Sequence, residues 1–287
     1  MKKRLFTASV LATSMLWLAA APGTAVAQDK YPSKSVRWIV PYAAGGGSDI
    51  VARTIAESMS ATLGRTIIIN NKPGAGTNIA AEYSARNKDY GNLMFTADFA
   101  TLAANPFLFS KLSYNAEKDF KPVGMLVRFP MLLVVNNDVP VSNLTEFVAW
   151  ARQQKTGVSW GSAGLGSPHH LVGELFREEA GLGNMTHVPY RGAAPAVQDV
   201  IGGQIPFMLV DSAAGLPHIN TGKVRAIGIS NCYAWQLAQA NYYARMRGIA
   251  EFVSVQGHYN LIFREEEREM APFCKAENIA MTPYSAL

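Results

Sequence analysis

Three glycine-rich turns hold the residues best suited to chemistry: Gly45-Gly46-Gly47-Ser48-Asp49, Lys72-Pro73-Gly74-Ala75-Gly76-Thr77-Asn78, and Gly161-Ser162-Ala163-Gly164-Leu165-Gly166-Ser167-Pro168. Each follows a short apolar run and precedes apolar residues at helical spacing, so each reads as a strand-to-helix corner. In the first, Val36, Trp38, Ile39 and Val40 break at Pro41, and Val51, Ile55, Met59 and Leu63 follow at steps of four. Such a corner leaves the first N–H groups of the helix unpaired and the positive end of its dipole facing outward beyond the sheet edge. The chemistry on offer is anion binding.

Enzymatic alternatives fail on spacing. Gly45-x-Gly47, Gly74-x-Gly76 and Gly164-x-Gly166 each begin a dinucleotide fingerprint, but its third glycine position holds Ile50, Ile79 and His169. No lysine follows a glycine loop in the Walker frame, and the turn at 161–164 lacks the G-x-S-x-G frame of a nucleophile elbow. His169 and His170 point to different faces of a helix, which argues against their sharing a metal. We therefore expect no catalytic residues, no metal and no cofactor.

The elements that position these turns alternate as in a parallel sheet covered by helices, an α/β fold. Strands are expected at 36–40, 66–70, 93–96, 158–160, 187–190 and 205–210, the last delivering Asp211 and Ser212. Thr77 is placed to cap a helix whose buried face is Ile79, Ala80 and Tyr83. Ser167 as N-cap with Pro168 at the first helical position starts a helix through Leu171, Leu175 and Phe176. Further helices are expected at 144–154 and through Val197 and Val200, ending at Gly202-Gly203. The apolar runs 125–127 and 131–135, split by Arg128-Phe129-Pro130, mark the first hinge between two domains. Two sets of loops then face each other, and ligands of open α/β sheets bind beyond the carboxyl ends of the strands. Asp49 serves either a ligand or its helix dipole, Arg191 is a cleft cation or a surface one, and Asp211 is a cleft hydrogen-bonding group or a strand-end cap.

The first residues read as an export leader: Lys2, Lys3 and Arg4, an apolar run through Leu18 and Ala21, then Ala25-Val26-Ala27 before a mature start near Gln28. Three of the 26 Lys and Arg residues lie there, leaving 23 against 21 acidic ones. That balance removes the case for a nucleic-acid partner. Cys232 and Cys274 both lie in the last quarter, and nothing in their spacing gives them a reason to pair.

The segments Y-P-S-K-S-V-R-W-I-V-P-Y-A-A-G-G-G-S-D, N-K-P-G-A-G-T-N-I-A-A, W-G-S-A-G-L-G-S-P-H-H-L and V-P-Y-R-G-A-A-P-A-V-Q-D-V-I-G-G-Q occur in that order across residues 31–225. They resemble the Bug-type periplasmic receptors, the substrate-binding proteins of tripartite tricarboxylate transporters. The resemblance implies a two-domain, type II-like periplasmic binding protein clamshell, with domains at 28–125 and 126–226. It implies a monomeric, non-enzymatic periplasmic receptor that holds a small carboxylate through backbone N–H groups and water, and delivers it to the transporter's membrane subunits. Carried over residue by residue, the ligand-binding set is Tyr42, Ala43, Gly46, Gly47 and Asp49 in the first loop, Gly76 and Asn78 in the second, and Thr96 after the third strand. Across the cleft it is Ser162, Ala163, Gly166, Ser167 and His169, with Tyr190, Arg191 and Asp211.

After Lys223-Val224-Arg225 the chain departs from that family. The stretch A-I-G-I-S-N-C-Y-A-W-Q-L-A-Q-A-N-Y-Y-A-R-M-R-G, with F-V-S-V-Q-G-H-Y-N-L and I-A-M-T-P-Y-S-A-L, resembles the later strands and helices of an aldo/keto reductase barrel. There Ser230, Asn231, Gln256 and Tyr284 would lie against a nicotinamide ring, but the strands bearing that family's catalytic residues are absent. A receptor's first domain needs a returning C-terminal segment, so that domain is expected to be incomplete. The atypical α/β tail, 227–287, reads as helix 234–247, strand 252–256, helix 264–277 and strand 279–283. It either extends a parallel sheet or hangs as a poorly docked appendage. The alternative functions are an aldo/keto reductase-like oxidoreductase fragment and an inactive hybrid product.

Overall fold

The apolar run Val36–Val40 forms β1, whose Val36, Trp38, Ile39 and Val40 are almost wholly buried. β1 pairs in parallel with β2 (Ile67–Asn71) on one side and β3 (Leu93–Phe95) on the other. Helix α1 (Gly47–Leu63) crosses between β1 and β2 and lays Ala52 and Ala56 on Val36, Trp38 and Val40. It ends where Gly64 adopts the left-handed conformation (φ 64°) that glycine tolerates without a Cβ penalty. The computed structural model describes residues 31–287 except 90, 231, 248–250, 253, 259–263 and 285–287. The leader, the start at Gln28, Asn231 and the side chains of Ser230, Gln256 and Tyr284 lie outside the described residues.

Two expectations for α2 (Asn78–Arg86) are corrected. Thr77 makes no side-chain capping bond. Ala75, Gly76 and Thr77 all have positive φ (50°, 59° and 76°), and this left-handed turn rotates the Thr77 hydroxyl inward, where it meets Thr101 Oγ1 at 2.8 Å. The buried face of α2 is Ala80, Ala81 and Ser84, while Ile79 is 50% exposed. Beyond β3 the chain makes a π-helical turn at Ala100–Ala104 and the short α3 (Asn105–Leu108). Phe120 then packs on Phe95 at 5.3 Å between ring centroids, and residues 121–130 run on without helix or strand. Val123 and Met125 in that run are exposed.

The second sheet comprises β4 (Met131–Val135), β5 (Val158–Ser162), β6 (Met185–Pro189), β7 (Phe207–Asp211), β8 (Arg225–Ser230), β9 (Ser254–His258) and β10 (Ala280–Tyr284). Its order is β10-β9-β8-β4-β7-β5-β6, with β4 antiparallel to β7 and β8 and the remaining pairs parallel. The period of two along β4 sends Met131, Leu133 and Val135 to one face and Leu132 and Val134 to the other. The first face is covered by α4 (Leu144–Gln153) and α5 (Pro168–Glu179), with Phe147, Trp160, Phe176 and Phe207 at its centre. On the second face α6 (Ala193–Ile201), α7 (Ser212–Asn220), α8 (Ala234–Arg247) and α9 (Met270–Ala276) share one core, which includes Val197, Val200, Leu237 and Met270.

Of the two outcomes left open for the tail, the structure has the packed one. β9 adds in parallel to β8 through Ile229 opposite Val255, and β10 adds to β9. Leu237, Val255, Met270 and Cys274 are buried in the same core as α6. The sheet stays open, with β10 and β6 at its two ends, so no barrel closes among the described residues. Cys232 and Cys274 are buried in that core as free thiols, and burial pushes the Cys232 thiol up to about 12.

Candidate functional site

The loops that follow β1, β2, β5 and β6 converge at the carboxyl ends of both sheets. Backbone joins them directly, since Ala43 N donates to Arg191 O at 3.0 Å. Gly192 has φ 154°, and a Cβ there would stand 2.9 Å from Ala43 N, so only glycine permits this approach. Nearby, a methyl on Gly47 would stand 2.1 Å from Asp211 Oδ1, and one on Gly76 would meet Leu165 O at 2.8 Å. Between these contacts lies a cleft of about 430 Å³. One side is walled by Pro41, Tyr42, Pro73 to Thr77 and Ile79, the other by Ala163 to Leu165, Ser167 and Pro189 to Arg191.

Buried polar groups brace the loops from behind. Asp49 accepts from Gly45 N, Arg53 Nε and Asn71 Nδ2, each at 2.9 Å. Burial alone would raise its pKa, but these donors and the Arg53 charge hold it below the usual carboxylate value. In the second loop Asn105 Nδ2 donates to Gly76 O at 2.7 Å and to Asn78 Oδ1 at 2.8 Å. Thr96 Oγ1 accepts from Trp38 Nε1 at 2.8 Å. Tyr42 donates its hydroxyl to Asp98, and burial followed by that carboxylate pushes its pKa well up.

Across the cleft, Ser167 caps α5, its Oγ accepting from His170 N at 3.3 Å. Asp211 caps α7 by accepting from Ala214 N at 2.9 Å, and its second oxygen meets His169 Nε2 at 3.1 Å. Burial works to raise the Asp211 pKa, and the bond and charge of His169 outweigh it, so the carboxylate titrates below its ordinary range. Tyr190 donates to Asp199, and burial, then that bond, raise its pKa. The Arg191 guanidinium is exposed and makes no hydrogen bond or ion pair among the described residues.

Behind the Ser162 turn, His187 Nε2 lies 2.6 Å from Ser162 Oγ, and its ring lies tilted against that of His170 at 4.1 Å between centroids. Burial and then the His170 charge lower His187 to about 4, and burial also lowers His170. An unfolded chain takes up the His187 proton near pH 6.5, whereas the folded one resists until about pH 4. Stability from His187 is therefore full above pH 6.5 and is lost as pH falls toward 4. Allowing for partial exposure, urea unfolding should show about 1–2 kcal/mol lost across that window through His187. In His187→Gln that component should vanish; an unchanged pH profile would refute the assignment.

Of the residues named from sequence, Tyr42, Gly76, Ala163, Ser167, Tyr190 and Arg191 line the cleft. Ala43, Gly46 and Gly47 sit instead where the two sides touch, Gly46 against Ala193. Asp49, Asn78, Thr96, Ser162, His169 and Asp211 hold the loops in the bonds given above. Gly166, with φ 75°, turns the chain beside Leu108 and Asn105. Gly74, Ala75, Thr77, Gly164 and Leu165 are legible in the sequence only as parts of the facing loops, and Pro41, Pro73, Ile79 and Pro189 carry no assignment to the cleft there. Ile79 and Leu165 carried a signal, being large apolar residues inside or just after a glycine turn. Among the described residues no three His, Cys, Asp or Glu side chains are grouped to hold a metal, and no helix is long and apolar enough to cross a membrane.

Comparison with known proteins agrees with this architecture. The model of the tripartite tricarboxylate transporter family receptor matches residues 51–236, and that of the aldo/keto reductase family matches 217–287. A UPF0065 protein of Agrobacterium vitis is 35% identical over 232 residues, 80% of this chain and 64% of its own length. Protein BugT of Bordetella pertussis is 32% identical, with 71% of this chain and 63% of its own length covered. The chain thus spans just under two thirds of these curated relatives. An aldo-keto reductase of Metarhizium robertsii is 44% identical over 69 residues, 24% of this chain and 19% of its own length.

Among solved structures, a Rhodopseudomonas palustris protein with adipate superposes with a TM-score of 0.69 at 31% identity, covering 72% of this chain and 69% of its own. MatC of the same organism, with bound malate, gives 0.68 at 32% identity, covering 76% and 74%. The periplasmic binding protein BugD gives 0.67 at 33% identity, covering 71% and 67%. The fold is that of a periplasmic binding protein carrying a reductase-like tail, and the chain belongs to the tripartite tricarboxylate transporter receptor family.

Proposed function

We propose that this chain is a periplasmic solute receptor that captures a small carboxylate in the cleft and delivers it to the membrane subunits of a tripartite tricarboxylate transporter, performing no chemistry itself. The observation that carries this reading is the cleft of about 430 Å³ between facing glycine turns, with Arg191 on its wall as a cation unpaired among the described residues. Glycine at the turns lets backbone approach a ligand closely, and an arginine fork suits a carboxylate. Relatives with similar folds were solved with adipate and malate, which supports an organic acid as the cargo. The oxidoreductase alternative rests on the tail alone, whose strands extend an open sheet.

Calorimetric titration of the mature chain separates the readings. Saturable binding of at least one acid from a panel of mono-, di- and tricarboxylates, with no binding of NADPH, is the expected result. Saturable NADPH binding without any acid binding would overturn the receptor.

A further inference from the structure

The side chains bordering the cleft divide into two groups. The polar ones are already committed within the protein: Thr77 and Ser167 are 1% exposed, the first bonded to Thr101 and the second capping α5. The hydroxyls of Tyr42 and Tyr190 donate to Asp98 and Asp199. The exposed ones are apolar, Ile79 at 50% and Leu165 at 56%, standing on opposite sides of the cleft. Arg191 is the cation that remains.

A site that recognises ligand hydroxyls needs polar groups waiting for them, because a hydroxyl moved from water to an apolar wall loses hydrogen bonds it cannot replace. Here the side chains of the wall offer hydrocarbon and one guanidinium, and the backbone N–H groups of the glycine turns are donors suited to the carboxylate itself. We infer that the cleft selects carboxylates with an unsubstituted hydrocarbon body, alkyl or aryl, over hydroxylated acids of the same length and charge. The carboxylate pairs with Arg191 and the body lies between Ile79 and Leu165. This rests on the receptor reading above and narrows its ligand class.

Adipate and galactarate make a matched test, being six-carbon diacids of equal charge that differ in four hydroxyls. Titrated into the mature chain, adipate should bind about tenfold or more tighter than galactarate. Leu165→Asn and Ile79→Asn replace exposed side chains and should fold as the parent does, checked by melting. Each should bring the two affinities together by about tenfold or more. Equal or tighter binding of galactarate, or a ratio unmoved by both substitutions, would overturn the inference while leaving the receptor reading intact. Failure of every acid, these two included, would overturn both.

Discussion

Replacing Gly173 by alanine should destabilise the protein by about 3 kcal/mol or more, the upper end of what overpacking a rigid core produces. Gly173 lies on the buried side of α5, and a Cβ there would stand 2.0 Å and 2.1 Å from two atoms of the Trp160 ring. Trp160 cannot retreat. It is wholly buried, with His187 against it at 4.6 Å between ring centroids and Phe147, Phe176 and Phe207 in the same cluster. Relief would require α5 to move off β5, and that movement would also displace the Ser167 cap and the turn before it. Thermal melting should show a fall of about 6–12 °C for a chain of this size. Gly183→Ala, where a Cβ meets nothing within 4 Å, serves as the neutral control. A loss under about 1 kcal/mol at Gly173 would mean that the helix-to-strand spacing is wider than described.

The second large effect is on binding rather than on folding. A methyl at Gly47 would lie 2.1 Å from Asp211 Oδ1 and 2.6 Å from its Cγ. Asp211 is 5% exposed and held by both His169 and Ala214, so its carboxylate has nowhere to swing. Gly47→Ala should therefore wedge the loop of α1 away from β7 and weaken the tightest-binding acid of the panel by about 30-fold, equivalent to about 2 kcal/mol. Asp211→Ala in the same chain removes the obstruction, and the two changes should couple in a double-mutant cycle. Unaltered affinity in Gly47→Ala would show that this contact is not part of the ligand-competent arrangement.

Much of this was legible because local rules and tertiary demands coincide. The apolar run of β1 breaking at Pro41 into glycines and resuming at Val51 foretold β1, its turn and α1, since no other element satisfies that change of period. Ser167 before Pro168 foretold the start of α5. Thr77 misled because capping was inferred from residue type alone, while the left-handed backbone at Ala75 to Thr77 turns its hydroxyl toward Thr101. Ile79 misled in the same way: helical spacing assigned it inward, and the cleft claims it. For Asp49 and Asp211 the sequence admits ligand and local roles alike, and their geometry is that of braces, to Arg53 and Asn71 in one case and to His169 and Ala214 in the other. The tail's helices and strands were readable, but its docking was not, because pairing β9 to β8 depends on which edge the second sheet leaves open.

The separation between braces and wall bears on how this receptor diversifies. Positions 49, 105 and 211 each combine loop geometry with internal hydrogen bonding, so a change there alters architecture and recognition at once. The side chains of Ile79 and Leu165 are half exposed and make none of the hydrogen bonds that brace the loops, which makes them the two dials for a redesigned sensor. If the proposed selectivity holds, that pair is where new cargo is to be tuned while the frame that carries it is left untouched.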